Sequence, residues 1–253
     1  MNYFYGIKNK EFNSELQVPL FQNRNPKPQD IYLYKAVIEN SFWKISKMNN
    51  CKVNEDFYVI DSNNIESSDV FFLAFEKDLN NFDNTKLKDF NNFTNTTPAF
   101  RANLKILLNE GGFSSYQSEY PYSMIAKKGT LLSSVNSIAN KEAEKNFIFI
   151  RNIYEKPISE KYFAYIVDVK KKKIEEKIEI QTNYTNSFEL NKSLIKPEMF
   201  LITDKYLGIP MFVSVDQKHV SFEHTQPPHE YILGKNKFKK ISELKKEINE
   251  IIN

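Results

Sequence analysis

The chain has 253 residues, 41% of them hydrophobic and 14% aromatic, and carries a net charge of +3 from 35 basic and 32 acidic side chains. That much apolar area excludes an intrinsically disordered chain, and so even a charge balance lacks the basic footprint of a dedicated nucleic-acid binder. Cys51 is the only cysteine, which excludes an intramolecular disulfide and any zinc site built from several thiolates.

No run approaches the ~20 consecutive apolar residues of a membrane span, and the start has no continuous apolar segment of signal-peptide length. The expectation is a cytoplasmic protein with no membrane and no nucleic-acid partner. Arg24, Arg101 and Arg151 are the only arginines against a lysine-rich background. Each is therefore informative, because the planar five-donor fork does what an ammonium cannot.

Along the chain, residues 19–30, "PLFQNRNPKPQD", are broken by prolines and read as an irregular entry segment. The apolar, aromatic stretch 30–45 suits a strand or a helix. "DFYVID" (56–61) and "DVFFLAF" (69–75) have the β-branched and aromatic content of strands, bounded by turn-forming residues. Residues 78–98 are polar and Asn-rich. They separate an N-terminal β-rich layer (1–98) from a main antiparallel β domain (99–253), unless they form a long surface loop of a single domain.

"NFIFIRNIY" (146–154) is nearly continuous in apolar residues, the pattern of a strand buried on both faces. "KYFAYIVDV" and "KIEEKIEI" flank the lysine run 170–173 and predict a hairpin with a charged, solvated tip. "MFLITD", "IPMFVSV" and "HVSFEHT" continue the series, the last two joined through "DQK" by a tight turn. Ile241, Leu244, Ile248 and Ile251 recur at helical spacing and predict a C-terminal amphipathic helix docked on the body. The fold class expected is mainly β (α+β): an antiparallel β-sandwich or jelly-roll-like body with that helix attached.

No GxGxxG, GxxxxGK[ST], GxSxG, HExxH or EF-hand pattern occurs, which argues against a Rossmann dehydrogenase, a P-loop NTPase, an α/β-hydrolase and a zincin. Two windows concentrate unusual residues instead. All three histidines, His219, His224 and His229, fall within "HVSFEHTQPPHEYIL" beside Glu223 and Glu230. Imidazoles with a carboxylate are the ligand types of a divalent metal, the one cofactor the sequence suggests, and His224, His229 and Glu230 are equally suited to acid–base work. The competing account is a set of imidazoles finishing a strand before two prolines. The spacing favours it, since a jelly-roll metal site would place two histidines at i and i+2.

The second window, "GGFSSYQSEYPYS" (111–123), joins adjacent glycines to Tyr116, Gln117, Ser118, Glu119 and Tyr120. Hydroxyls, an amide, a carboxylate and aromatic faces are the usual lining of a site for a polar small molecule, although the same tyrosines could cover a sheet edge. Arg101 and Arg151 flank the window in sequence, and each needs either Glu119 or a ligand anion as a partner. The functional expectation is an enzyme acting on a polar, anionic or sugar-like small molecule. Arg101, Arg151, Tyr116, Gln117, Ser118 and Tyr120 would bind it, with Glu119 joining the histidine window in catalysis. The alternative is a non-catalytic carbohydrate-binding or assembly module.

Overall fold

The structure, a computed structural model, describes all residues except 21–29, 50, 55, 91, 97–99, 126–128, 138 and 225–233. The chain divides into two compact units. One comprises Met1–Lys127, Ile153–Ser159 and Asn183–Thr185; the other comprises Lys128–Asn152, Glu160–Thr182 and Asn186–Asn253.

The first unit contains β1 (Asn2–Phe4), β2 (Asn13–Pro19), β3 (Ile31–Glu39), β4 (Phe42–Lys47), β5 (Lys52–Asn54), β6 (Phe57–Asp61), β7 (Val70–Phe75), β8 (Ala102–Leu107), β9 (Phe113–Ser118), β10 (Tyr120–Pro121) and the single turn α1 (Tyr122–Ile125). These strands form two five-stranded sheets, in the orders β10-β1-β7-β3-β4 and β5-β6-β2-β8-β9. The stretch that suited either a strand or a helix is the β3–β4 hairpin. Asn40 and Ser41 both take positive φ (51° and 65°) between the paired Glu39 and Phe42, the backbone of a two-residue turn whose twist matches the flanking strands.

In β2 and β8 buried and half-buried residues alternate, so Leu16, Val18, Leu104 and Ile106 face the core while Glu15, Gln17, Asn103 and Lys105 face outward. The core of the other sheet is aromatic. Phe72 packs edge-on against Tyr3 and stacks with Tyr34 and Phe90, at centroid distances of 5.4, 5.8 and 5.7 Å.

The second unit contains β11 (Leu132–Ser134), β12 (Lys145–Arg151), β13 (Lys161–Asp168), β14 (Lys173–Gln181), β15 (Thr185–Glu189, from Asn186 on), β16 (Met199–Thr203), β17 (Ile209–Asp216), β18 (His219–His224) and the helix α2 (Lys237–Ile252). Here two four-stranded sheets run β11-β16-β13-β14 and β15-β12-β17-β18. Ile148, Ile150 and Phe212 from one meet Tyr162, Ala164, Ile166 and Leu201 from the other in a shared apolar cluster. β12 is central in its sheet, and all of Asn146–Arg151 is buried. The stripe Ile241, Leu244, Ile248 and Ile251 of α2 packs on the opposite face of the β13-containing sheet, against Leu132, Tyr165, Val167 and Ile202.

This architecture corrects the expected single antiparallel sandwich or jelly roll. The strands form four separate small sheets, two in each unit and each about the size of a propeller blade, with register assigned only to antiparallel ladders. The physical reason is that alternation within a strand fixes which side chains face inward but not which strands share a ladder. β1 pairs with β10 through Tyr3↔Tyr120, a contact between distant parts of the chain that no local pattern encodes.

Candidate functional site

Among the described residues, the histidine window forms no metal site. In a strand, residues five apart point to opposite faces, and β18 obeys this. His219 is exposed opposite Asp216, whereas His224 is half-buried opposite Met211. His229 and Glu230 lie outside the described residues. Among the described residues, no group of three His, Cys, Asp or Glu side chains could hold a metal ion. The expected histidine cluster is therefore corrected among the described residues: strand parity keeps His219 and His224 apart, and no metal-binding group is present there.

The second window is an edge strand. In β9 the even-numbered side chains face inward opposite the buried Ala102, Leu104 and Ile106 of β8. Ser118 is fully buried, and its hydroxyl closes a local pair by donating to Tyr5 O (2.7 Å) and accepting from Tyr5 N (2.9 Å). Tyr120 is buried in the ladder with Tyr3. Tyr116 is half-buried on the inward face, and Gln117 lies on the outward face opposite Asn103.

Arg101 Nε donates to Glu119 Oε2 at 2.9 Å, an ion pair at the surface of the first unit. Arg151, at the end of β12, is fully buried in the second unit. The predicted site residues are thus divided: Arg101, Tyr116, Gln117, Ser118, Glu119 and Tyr120 belong to one unit, and Arg151, His219 and His224 to the other.

A cavity of about 380 Å³ lies in the first unit, where β4 ends. Lys35, Lys47, Met48, Asn49, Asn63, Asn64 and Glu66 line it. Three local structures bring these residues together. The β3–β4 hairpin supplies Lys35 and Lys47, and the chain leaving β4 supplies Asn49. A 3₁₀ turn at Ser62–Asn64 supplies the other asparagines. That turn is capped by Asp61, whose carboxylate accepts from Asn63 N (3.1 Å) and Asn64 Nδ2 (3.0 Å).

The lysines are held in place but not saturated. Lys35 Nζ is 3.5 Å from the buried Asp69 carboxylate, and Lys47 Nζ is 3.6 Å from Glu76. Both contacts are about as long as the limit beyond which an ion pair ceases to be a hydrogen bond, so each ammonium keeps donors for another acceptor. The ring of Tyr32 lies 3.1 Å beneath the Lys47 ammonium and fixes its position. Glu66 is engaged by Lys8, and Asp69 also accepts from Glu66 N at 2.9 Å. Neighbouring Tyr34 is pushed up to about 12, first by burial and then by the Glu76 charge, so it is a neutral phenol near pH 7.

Sequence reasoning passed over this site because its residues come from positions 35, 47–49 and 63–66. The available signal was faint: asparagines in short turns immediately after strands, at 49 and at 63–64. Comparison with protein-family models, with curated proteins and with solved structures finds no match to this chain. Among the described residues, no helix is long and apolar enough to cross a membrane.

Proposed function

We propose that the chain is a cytoplasmic, non-catalytic recognition module for a hydroxyl-rich, anionic small molecule such as a sugar acid or sugar phosphate. The cavity at the end of β4 would hold the ligand. The observation that carries this is the lining itself: two lysines with donors to spare beside three carboxamides, in a volume within the usual range for small ligands. A carboxamide offers both a donor and an acceptor, as a sugar hydroxyl does, and the ammoniums match a carboxylate or phosphate.

A non-catalytic role is favoured over the enzyme reading because the one carboxylate among the described residues lining the cavity, Glu66, is already paired with Lys8. Calorimetry with glucose, glucuronate and glucose 6-phosphate, with product analysis, tests the proposal. The anionic sugars should bind, unchanged in recovery, and Lys47→Ala should weaken them about tenfold, near 1.4 kcal/mol. Absence of binding, tighter binding of neutral glucose, or conversion of the ligand would overturn it.

A further inference from the structure

We propose that β9 is a self-pairing edge through which two copies of the chain join their sheets antiparallel. This is independent of the ligand cavity. An edge strand presents a row of unpaired peptide groups, and folded proteins usually guard it with charge, proline or brevity. The other edges here are guarded in that way. β14 carries Lys173, Glu175, Glu176, Lys177 and Glu179; β4 carries Lys44 and Lys47; β18 carries Glu223 between two histidines; β15 ends at Glu189. β5, β10 and β11 are three residues or fewer. Among the described residues, β9 (Phe-Ser-Ser-Tyr-Gln-Ser) is the one edge longer than three residues with no charged side chain.

The register fixes which peptide groups are offered. Leu108 N donates to Gly112 O (3.2 Å), so hydrogen-bonded pairs between β8 and β9 fall at Ile106↔Ser114 and Leu104↔Tyr116. The N–H and C=O groups of Phe113, Ser115 and Gln117 therefore point away from β8, where no described strand pairs with them. These three offered residues favour one antiparallel self-pairing above others. A two-fold axis at Ser115 sets Ser115 opposite its own copy and Phe113 opposite Gln117, forming about six backbone hydrogen bonds. Registers displaced by two residues form fewer.

The occupant is a second copy because the strand is electrically self-compatible. A charged residue near the axis would meet its own like charge, and β9 has none. Lys105, beside Ser115 in the sheet, leans toward Glu15 at 3.6 Å. Its copy would lie three strand spacings away, about 14 Å, beyond the Debye length at physiological salt. Phe113, 66% exposed, would be partly covered by the Gln117 of the other copy.

Sedimentation equilibrium over a concentration series tests this with the full chain and two charge variants at Ser115, an exposed position. The wild type should move from monomer toward dimer mass with rising concentration. Ser115→Lys alone and Ser115→Glu alone should each weaken association about tenfold or more, since each sets like charges across the axis. An equimolar mixture of the two should recover the dimer, which a folding defect in either could not produce. A wild type that stays monomeric, variants that associate like wild type, or a mixture that fails to recover would each overturn the proposal.

Discussion

Ile248→Ala tests whether α2 is held by its apolar stripe. Ile248 is fully buried among Leu132, Tyr165, Val167 and Ile202, whereas Ile241, Leu244 and Ile251 are only half-buried around it. Truncation removes three carbons, worth about 0.8 kcal/mol each in transfer, or roughly 2.4 kcal/mol before any cavity term. Incomplete collapse of the β13-containing sheet onto the gap raises the expected loss to about 2.5–3.5 kcal/mol. For a chain of this length the thermal midpoint should fall by about 5–14 °C. Urea unfolding followed by circular dichroism measures the loss, and Lys246→Ala is the control. That lysine side chain is 80% exposed and reaches Glu250 only at 4.0 Å, so its removal should change stability by less than about 0.5 kcal/mol. If Ile248→Ala costs no more than Lys246→Ala, the helix is not docked as described.

Three further outcomes follow from particular contacts. Asn183 has positive φ (55°); its side chain accepts from Tyr154 N (2.6 Å) and donates to Lys156 O and Ile158 O (3.0 and 2.9 Å). Asn183→Gly should lose about 2–3 kcal/mol by denaturant melt and Asn183→Ala about 1 more, the second difference isolating the backbone strain; equal losses would refute that separation. At Gly6 an added Cβ would sit 2.5 Å from Cγ2 of the fully buried Ile65, so Gly6→Ala should cost about 1–3 kcal/mol in the same melt. Burial raises the Glu176 carboxyl above its ordinary value of 4.5. Ionising it is therefore harder in the folded state, a penalty absent at lower pH that grows as pH rises through the folded value. Glu176→Gln should accordingly melt above wild type at pH 7, and the gap should close by about pH 3; a gap independent of pH would refute this origin.

How much of this was legible depended on the range over which each feature is encoded. The both-face burial of β12 follows from "NFIFIR" itself, because a strand between two neighbours within a packed sheet has no polar face. The docked helix follows likewise from the four apolar residues at helical spacing in its own sixteen. The separation of His219 from His224 was decidable from parity as well, since five residues along a strand cannot bring two side chains to one face. The hairpin at 31–47 was ambiguous because Asn40-Ser41 is a less common turn pair than one containing glycine, and the backbone there had to be seen.

The partition into four sheets was not legible, because strand partners such as β2 with β8 are chosen by packing across nearly ninety residues of separation. The serine- and tyrosine-rich window suited a ligand site and a cover for a sheet edge equally. Its polarity belongs to an edge, where half the side chains and half the peptide groups face outward, and only the ladder with β8 reveals that. The cavity escaped because each contributing segment, taken alone, is an ordinary strand or turn.

The most direct measurement is a titration of isotope-labelled protein with glucuronate, following side-chain amide and lysine signals by NMR. The account predicts saturable shifts at the carboxamides of Asn49, Asn63 and Asn64 and at the ammonium end of Lys47, with the three carboxamide shifts moving together to about tenfold higher glucuronate in Lys47→Ala. Shifts confined to residues away from the end of β4, or persisting unchanged in that variant, would contradict it.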